Sequence, residues 1–259
     1  MDDAVVYGWG TVGRATAKVF GIPHFFSKSE SNITLKDAAY KRYHFFCLPT
    51  PTVNGNCDVS HIFGYIKQLE EIPHNQNVYI IRSTVIPGTA RHIMNELGIH
   101  SVVSNPEFLS EDTAEEDTRY PDIVVIGGDQ FNYVEDVKGI YQSFVKTAKT
   151  FTTDSITAET VKYAVNTFYA TKVVFANQIF DVAQKIGANY EVIKEIMYNR
   201  KWIGKNHLDI WHKGGRGAGG KCLRKDLDAF ENYSKSKLLE TVKKLNDQYL
   251  SYHPKKEGV

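Results

Sequence analysis

The sequence predicts an α/β fold, a doubly wound parallel sheet followed by an all-helical domain. Two observations predict it. From Ala4 to about Thr150, short apolar runs of strand length alternate with helical patterns, the order of a parallel sheet covered on both faces. From Ser155 onward the periodicity turns helical and stays so. The 259 residues suit one large domain or two small ones, and the change of pattern divides them into a sheet domain at 1–152 and a helical domain at 153–259.

Taken in order, the first strand is Ala4–Tyr7. It runs into Gly8-Trp9-Gly10-Thr11-Val12-Gly13, after which Arg14–Phe20 reads as helix. This is the dinucleotide fingerprint in its strand, turn and helix context, and it makes the first domain Rossmann-type: glycines serve the tight turn, backbone approach to a pyrophosphate, and helix–strand packing. Further strands are expected at His24–Phe26, Tyr43–Leu48, Val78–Arg82, Ser101–Ser104 and Ile123–Ile126. An acidic residue about twenty positions past the fingerprint would bond the adenine ribose of NAD. The sequence offers Phe25-Phe26-Ser27-Lys28 there. Ser27 with Lys28 suits a 2′-phosphate, which keeps NADP open, while Glu30 could serve the ribose from a distorted loop.

The helical domain opens with a long amphipathic stretch from Thr157 to Ile186, with Thr157 as N-cap, Glu159 in the first turn and Gly187 as the C-terminal stop. More helix follows at Tyr190–Tyr198 and from Leu223 to about Tyr249. Tyr163, Phe168, Val173, Val174, Phe175, Ile179 and Phe180 spread around more than one face of the long helix. A homodimer through residues 157–186 is therefore expected.

Composition excludes several classes. Apolar and charged fractions of 42% and 24% are those of a soluble globular protein, and a net charge of +1 points to neither nucleic acid nor acidic lipid. No apolar run reaches bilayer length, and Met1-Asp2-Asp3 is acidic and enters a strand directly, unlike a signal peptide. The expected location is cytoplasmic, with no membrane partner. Cys47, Cys57 and Cys222 form no CxxC pair and the nine histidines no ligand spacing, so neither disulfide nor metal is expected.

The candidate nucleophile is Cys222. Gly214-Gly215-Arg216-Gly217-Ala218-Gly219-Gly220-Lys221 delivers it to the start of the helix at Leu223, where unpaired amides and the helix dipole favour a thiolate. Lys221, Arg224 and Lys225 add positive charge, and Asp226 lies one turn on along the same face. The plainer alternative is an inert buried thiol. Four further segments fall at strand C-terminal ends or on a helix facing them, where open α/β sheets bind ligands. They are Cys47-Leu48-Pro49-Thr50-Pro51, Arg82-Ser83-Thr84-Val85-Ile86-Pro87-Gly88-Thr89, Asn105-Pro106-Glu107-Phe108-Leu109-Ser110-Glu111, and Lys162-Tyr163-Ala164-Val165-Asn166.

With these motifs in order, the chain resembles the UDP-glucose/GDP-mannose dehydrogenase family, whose patterns include the glycine fingerprint, PTP, STVxPGT, NPEFLxE, KYxxNxF and GGxCxxKD. Lys225-Asp226 is more similar to the UDP-glucose and GDP-mannose branch than to the N-acetylmannosamine one. The resemblance implies oxidation of a sugar C6 alcohol to the carboxylate with two NAD, UDP-glucose to UDP-glucuronate foremost. It implies catalytic roles for Cys222 as nucleophile, for Lys162, Asn166 and Asp226 around the C6 oxygen and a water, and for Glu107 and Thr84 in thioester hydrolysis. Gly8, Gly10, Thr11, Val12, Gly13, Ser27, Lys28, Pro49, Thr50, Thr84 and Glu111 would bind the cofactor. Phe108, Leu109, Lys162, Asn166, Gly219 and Lys225 would bind the nucleotide sugar. Arg200 would stand in for the family's substrate-reaching arginine, whose place holds Trp202. The family's second Rossmann-like domain, which binds the nucleotide, has no counterpart in these residues. Two alternatives stay open: a two-electron β-hydroxyacid dehydrogenase, and an NAD-binding protein without turnover.

Overall fold

The computed structural model describes residues 1–73, 76–145, 148–212, 215–220 and 222–252. Gly214, Lys221 and the charged tail from Lys255 lie outside the described residues. The chain divides into two compact units, Met1–Pro51 with Cys57–Lys162, and Thr52–Asn56 with the chain from Tyr163 onward.

The first unit carries β1 (Ala4–Tyr7), α1 (Thr11–Phe20), β2 (His24–Phe26), α2 (Leu35–Ala38) and β3 (Tyr43–Phe46). After the small hairpin of β4 (Thr52–Val53) and β5 (Asn56–Cys57) come α3 (Ser60–Glu70), β6 (Val78–Ile81), α4 (Thr89–Leu97) and β7 (Val102–Ser104). The unit continues with α5 (Ala114–Arg119), β8 (Ile123–Gly127), α6 (Phe131–Phe144) and β9 (Lys149–Thr153). Seven strands form one sheet in the order β2-β1-β3-β6-β7-β8-β9. Side chains alternate across it. Ala4, Val6, Phe45, Val78, Ile80 and Val103 pack on the face covered by α1 and α6. Val5, Tyr7, Phe46, Tyr79, Ile81 and Val102 pack on the face covered by α3 and α4. Burial on both faces is why the strands read as continuous apolar runs.

Two features of the sheet differ from expectation. The β7–β8 pair, joined at Ser104 and Gly127, is antiparallel while every other neighbouring pair is parallel. A strand buried on both faces shows the same apolar run in either direction, so its pattern carries no orientation. The edge strand β9 was also absent from the expected set, because Lys149-Thr150-Phe151-Thr152-Thr153 is mostly exposed and polar, as befits a sheet edge. The expected strands at Tyr43–Leu48, Val78–Arg82 and Ser101–Ser104 are each one or two residues shorter than their apolar runs.

The second unit is helical: most of α7 (Ser155–Ile186), then α8 (Tyr190–Tyr198), α9 (Leu223–Ser234) and α10 (Lys237–Leu250). Its buried residues gather in two clusters. One joins Val173 and Val174 of α7 to Leu227, Leu239, Val242 and Tyr249, and the other joins Ala176 and Ala183 to Tyr190, Leu208 and Ile210. Asp154, not Thr157, caps α7: its carboxylate accepts from Thr157 N at 3.1 Å and from Thr157 Oγ1 at 2.6 Å. A carboxylate accepting the third amide of the helix satisfies the capping geometry, which puts Thr157 inside the first turn. Gly187 ends the helix at φ +76°, as expected. The single helix expected over Leu223–Tyr249 is two, because Lys235 takes a left-handed φ of 53° and Ser236 restarts the chain by accepting from Leu239 N. No helix among the described residues is long and apolar enough to cross a membrane.

Candidate active site

The fingerprint loop joins β1 to α1. Gly8 sits at φ +95°, and a Cβ there would lie 2.5 Å from Cys47 O; one at Gly13 would lie 1.9 Å from Gly8 O. Only glycine fits at either place. A Cβ on Gly10 would meet nothing within 4 Å, and Gly10 caps α1 without any side-chain hydrogen bond or acidic residue in the first turn. Gly10 and Thr11 are exposed, with Val12 half-buried beside them. The open amide end of a ten-residue helix is therefore available to an anion, and a cofactor pyrophosphate fits it.

At the end of β2 the Ser27 hydroxyl donates to Glu30 O at 2.6 Å and accepts from Glu30 N at 3.1 Å, stapling its own loop. Lys28 is exposed on that loop. The loop presents Glu30, whose Oε1 is 2.8 Å from Arg14 Nη2. Arg14 is itself held by the fingerprint, donating to Trp9 O at 2.8 Å with its guanidinium over the Trp9 ring.

At the ends of β3 and β6, Thr50 Oγ1 donates to Thr84 O at 2.6 Å and Ser83 Oγ to Leu48 O at 2.7 Å. Thr50 is buried, Thr84 half-buried and Pro49 exposed, so Thr50 serves as a tie between two loops. Glu159 fastens α7 to the same region by accepting from Gly88 N (2.6 Å), Ala90 N (3.0 Å) and Ser104 Oγ (2.8 Å). Burial raises its carboxyl pKa against the pull of those donors. Beneath lies Arg82, whose Nη1 donates to Asn105 Oδ1 at 2.8 Å and to the Tyr141 hydroxyl, while Asn105 Nδ2 donates to Val125 O at 2.8 Å. Arg82 went unassigned in the sequence, although it directly precedes Ser83-Thr84.

Glu107 and Lys162 are brought together. Their Oε1 and Nζ lie 3.1 Å apart at 12% and 7% side-chain exposure, and Glu107 Oε2 accepts from Leu109 N at 2.6 Å. Lys162 also stands 5.3 Å over the Phe108 ring. A carboxylate and an ammonium thus face each other in a largely dry setting, a pair able to hold or move one proton. Glu111 is exposed a turn farther along the loop.

In the second unit, Asn166 Nδ2 donates to Asp226 Oδ2 at 2.5 Å and Lys225 Nζ lies 2.7 Å from Asp226 Oδ1, an ion-pair contact without hydrogen-bond geometry. Asp226 is only 1% exposed. Its amide donates to Cys222 O at 2.9 Å, which confirms that the two residues are one turn apart on α9. Cys222 occupies the N-cap position of α9, where no side chain caps the helix, and it is exposed. The inert-core alternative fails on that exposure. Of the expected cations, Arg224 pairs with Asp247 at 2.8 Å and Lys225 with Asp226, while Lys221 lies outside the described residues.

Gly219 lies half-buried in the loop before Cys222. Arg200 is exposed in the turn after α8, beside Trp202 at 83% exposure. The hairpin Thr52–Cys57 was also missed, although Asn54-Gly55, at φ 50° and 79°, is the strongest short hairpin signal. Thr52 Oγ1 of that hairpin donates to Lys225 O at 3.1 Å, and Asn232 Nδ2 to Asn56 Oδ1 at 3.2 Å.

A glycine cradle on a mostly parallel sheet, with strand-end polar clusters, defines a Rossmann-type dinucleotide-binding protein. The comparisons narrow the class. Residues 26–145 match the NAD binding domain of the UDP-glucose/GDP-mannose dehydrogenase family and residues 156–248 its central domain. The chain belongs to that family. It is 34% identical over 215 residues to UDP-glucose 6-dehydrogenase of Rickettsia felis, covering 79% of this chain and 47% of that one. The chain thus spans about half the length of the relatives it matches. A UDP-glucose dehydrogenase structure from Pyrobaculum islandicum superposes with a TM-score of 0.82 at 25% identity, over 96% of this chain and 68% of that one. A 3-hydroxyisobutyrate dehydrogenase from Mycobacterium tuberculosis superposes at 0.73 with 13% identity, over 98% and 95%, a likeness of fold alone.

Proposed function

We propose that the chain oxidises the C6 alcohol of a nucleotide sugar to the carboxylate, with UDP-glucose as substrate and two NAD consumed per acid. The observation that carries this is the exposed Cys222 thiol at the start of α9, with the buried Asp226–Asn166 pair one turn behind it. NAD, when bound, takes up the hydride of each oxidation. Lys162, Asn166 and Asp226 hold a water and the C6 oxygen: the Asp226 carboxylate takes the alcohol proton through that water, while Lys162 and Asn166 stabilise the developing negative charge on the oxygen. Cys222 thiolate then adds to the aldehyde, giving a thiohemiacetal whose oxidation leaves a thioester. Water, activated by Glu107 and placed by Thr84, cleaves that thioester to the acid and frees the thiol. Anaerobic incubation with NAD and a panel of nucleotide sugars tests the reading: two reduced cofactors per acid are expected. Absence of any cofactor reduction would favour a binding protein, and reduction only with β-hydroxyacids would favour the two-electron alternative.

The cofactor proposal is NAD over NADP. With Ser27 consumed in its loop, the group presented at the β2 end is the Glu30 carboxylate held by Arg14, and a 2′-phosphate would meet like charge there. Glu30→Gln should narrow the NAD over NADP preference by about tenfold. Fluorescence titration of both cofactors measures it, and tighter wild-type binding of NADP would overturn the assignment.

A homodimer through α7 is also proposed. The expected apolar set divides: Tyr163, Val173 and Val174 are buried within the second unit, and Ile179 and Phe180 pack partly against its core. Phe168 and Phe175 stay 60% and 52% exposed, and Val182 (53%) and Ile186 (70%) extend them along the helix. A seven-residue spacing over three of these makes one apolar stripe of the kind helices bury against a second helix. Phe168→Glu with Phe175→Glu should convert a sedimenting dimer to monomer. A wild type that sediments as monomer at micromolar concentration would dismiss the dimer.

A further inference from the structure

We infer that Arg216 is a positioning residue for the Cys222 thiol, acting through the glycine-rich loop; the inference rests on the reading of Cys222 as nucleophile. Arg216 is buried in the second unit. Its Nε donates to Asn177 Oδ1 at 2.8 Å, and its Nη2 donates to Asn177 O at 3.3 Å and to Asp181 Oδ1 at 2.6 Å. The guanidinium carbon stands 5.1, 4.6 and 5.3 Å from the ring centroids of Phe180, Tyr249 and Tyr252. Asn177 is fixed in turn, donating from Nδ2 to Val173 O at 2.9 Å.

A second anchor follows at once. Asn246 of α10, 1% exposed, accepts from Ala218 N at 2.7 Å and donates to Ala218 O at 3.0 Å. Gly217, between the anchors, has φ +81°, and a Cβ there would lie 3.0 Å from Asn246 Oδ1. The loop is therefore tied to α7 through Arg216 and to α10 through Asn246. Gly215, Gly217, Gly219 and Gly220 have no side chains with which to hold a conformation, so these ties fix the backbone of Arg216–Ala218, four residues before Cys222.

Why an arginine serves here is a question of geometry. Its planar fork bonds a side-chain oxygen, a main-chain oxygen and a carboxylate while three rings lie within 5.3 Å of its centre, which a lysine cannot reproduce. Only the outer end meets a carboxylate, that of Asp181 at 44% exposure, whereas the inner end rests on neutral Asn177 and the rings. Stability alone is as well supplied by an apolar side chain of that size. A charged, directional strut makes sense where one loop conformation must be specified.

The test compares Arg216→Lys, Phe180→Leu and Asp181→Asn with the wild type. Two quantities are read: the midpoint pH of Cys222 alkylation, and the aldehyde captured by a hydroxylamine trap during turnover of UDP-glucose with NAD. Both Arg216→Lys and the wild type should have the same circular dichroism and NAD affinity. The alkylation midpoint of Arg216→Lys should rise by about half a pH unit as the first turn of α9 loosens around the thiol. Its trapped aldehyde should rise on the order of tenfold, because a displaced thiol lets the intermediate escape before attack. Phe180→Leu, which removes one ring and no hydrogen bond, should move both quantities the same way by less, and it decides the question if Arg216→Lys does not fold. Asp181→Asn, at the exposed end, should stay near the wild type. Folded variants with the wild-type midpoint and aldehyde fraction would sink the inference, as would equal proportional loss of both oxidation steps. If wild-type Cys222 is not labelled ahead of Cys47 and Cys57, the nucleophile reading itself falls and the inference with it.

Discussion

Cys222→Ala should bind NAD with wild-type affinity, unfold at the wild-type temperature, and make no carboxylate. Its thiol is exposed, so truncation opens no cavity, and no side-chain cap of α9 is lost with it. The chemistry has no substitute. On the proposed thioester route the aldehyde is held as a thiohemiacetal before the second hydride leaves, and the Cys222 thiolate is the group that adds. Cys222→Ser should lose acid formation by at least about a hundredfold, because a hydroxyl is far less ionised at neutral pH and its ester is a poorer acyl donor than a thioester. The other two cysteines serve as controls. Burial pushes the Cys47 thiol up to about 11, against the contrary pull of Arg82 and Thr16, so it should alkylate slowly at neutral pH. Cys57 is half-buried with its Sγ 3.6 Å from Thr84 O. A limiting electrophile should therefore label Cys222 first, as mass spectrometry of the digested protein would report. Full acid production by Cys222→Ala would remove the thioester route.

Lys162→Met should damage both stability and catalysis, and a second substitution should separate the two losses. Removing the ammonium leaves the Glu107 carboxylate at 12% exposure without its cation. Breaking a buried pair from one side costs about 3 kcal/mol, so the melting temperature should fall by several degrees for a chain of this size. Combining Lys162→Met with Glu107→Gln removes both charges and should recover most of that stability. Acid formation should stay depressed by about a thousandfold in the single and double variants alike, since a group that holds or moves the reacting proton is gone in each. Calorimetry and acid yield on the same preparations provide both readouts. A Lys162→Met protein that melts with the wild type would show that the pair contributes nothing to the fold. A double variant with normal turnover would take Lys162 and Glu107 out of the reaction.

Much of this protein was legible without coordinates where local chemistry is decisive. The apolar runs of β1, β2 and β3, the glycine fingerprint at Gly8, Gly10 and Gly13, the stop at Gly187 and the helix Tyr190–Tyr198 all follow from backbone sterics and short-range periodicity. Those forces act within a few residues, and a linear pattern records them. The order of motifs from Pro49 to Asp226 likewise sufficed for the family. Other features depend on partners far away in sequence. The reversal at β7–β8 is invisible in strands buried on both faces. Ser27 suits a 2′-phosphate by its place in the sequence, whereas only the fold shows its hydroxyl donating to Glu30 O and Arg224 paired with Asp247, a residue from another helix. Arg82, Glu159 and Arg216 read as ordinary charged residues, although each is buried and holds together loops that carry candidate site residues. The sequence by itself determined the locally coded elements, the change from sheet to helix, and the chemical inventory of the candidate site. Tertiary structure alone decided which charges are paired, which hydroxyls are spent on structure and which thiol faces solvent, because burial and hydrogen bonding are properties of neighbours that only the folded chain supplies.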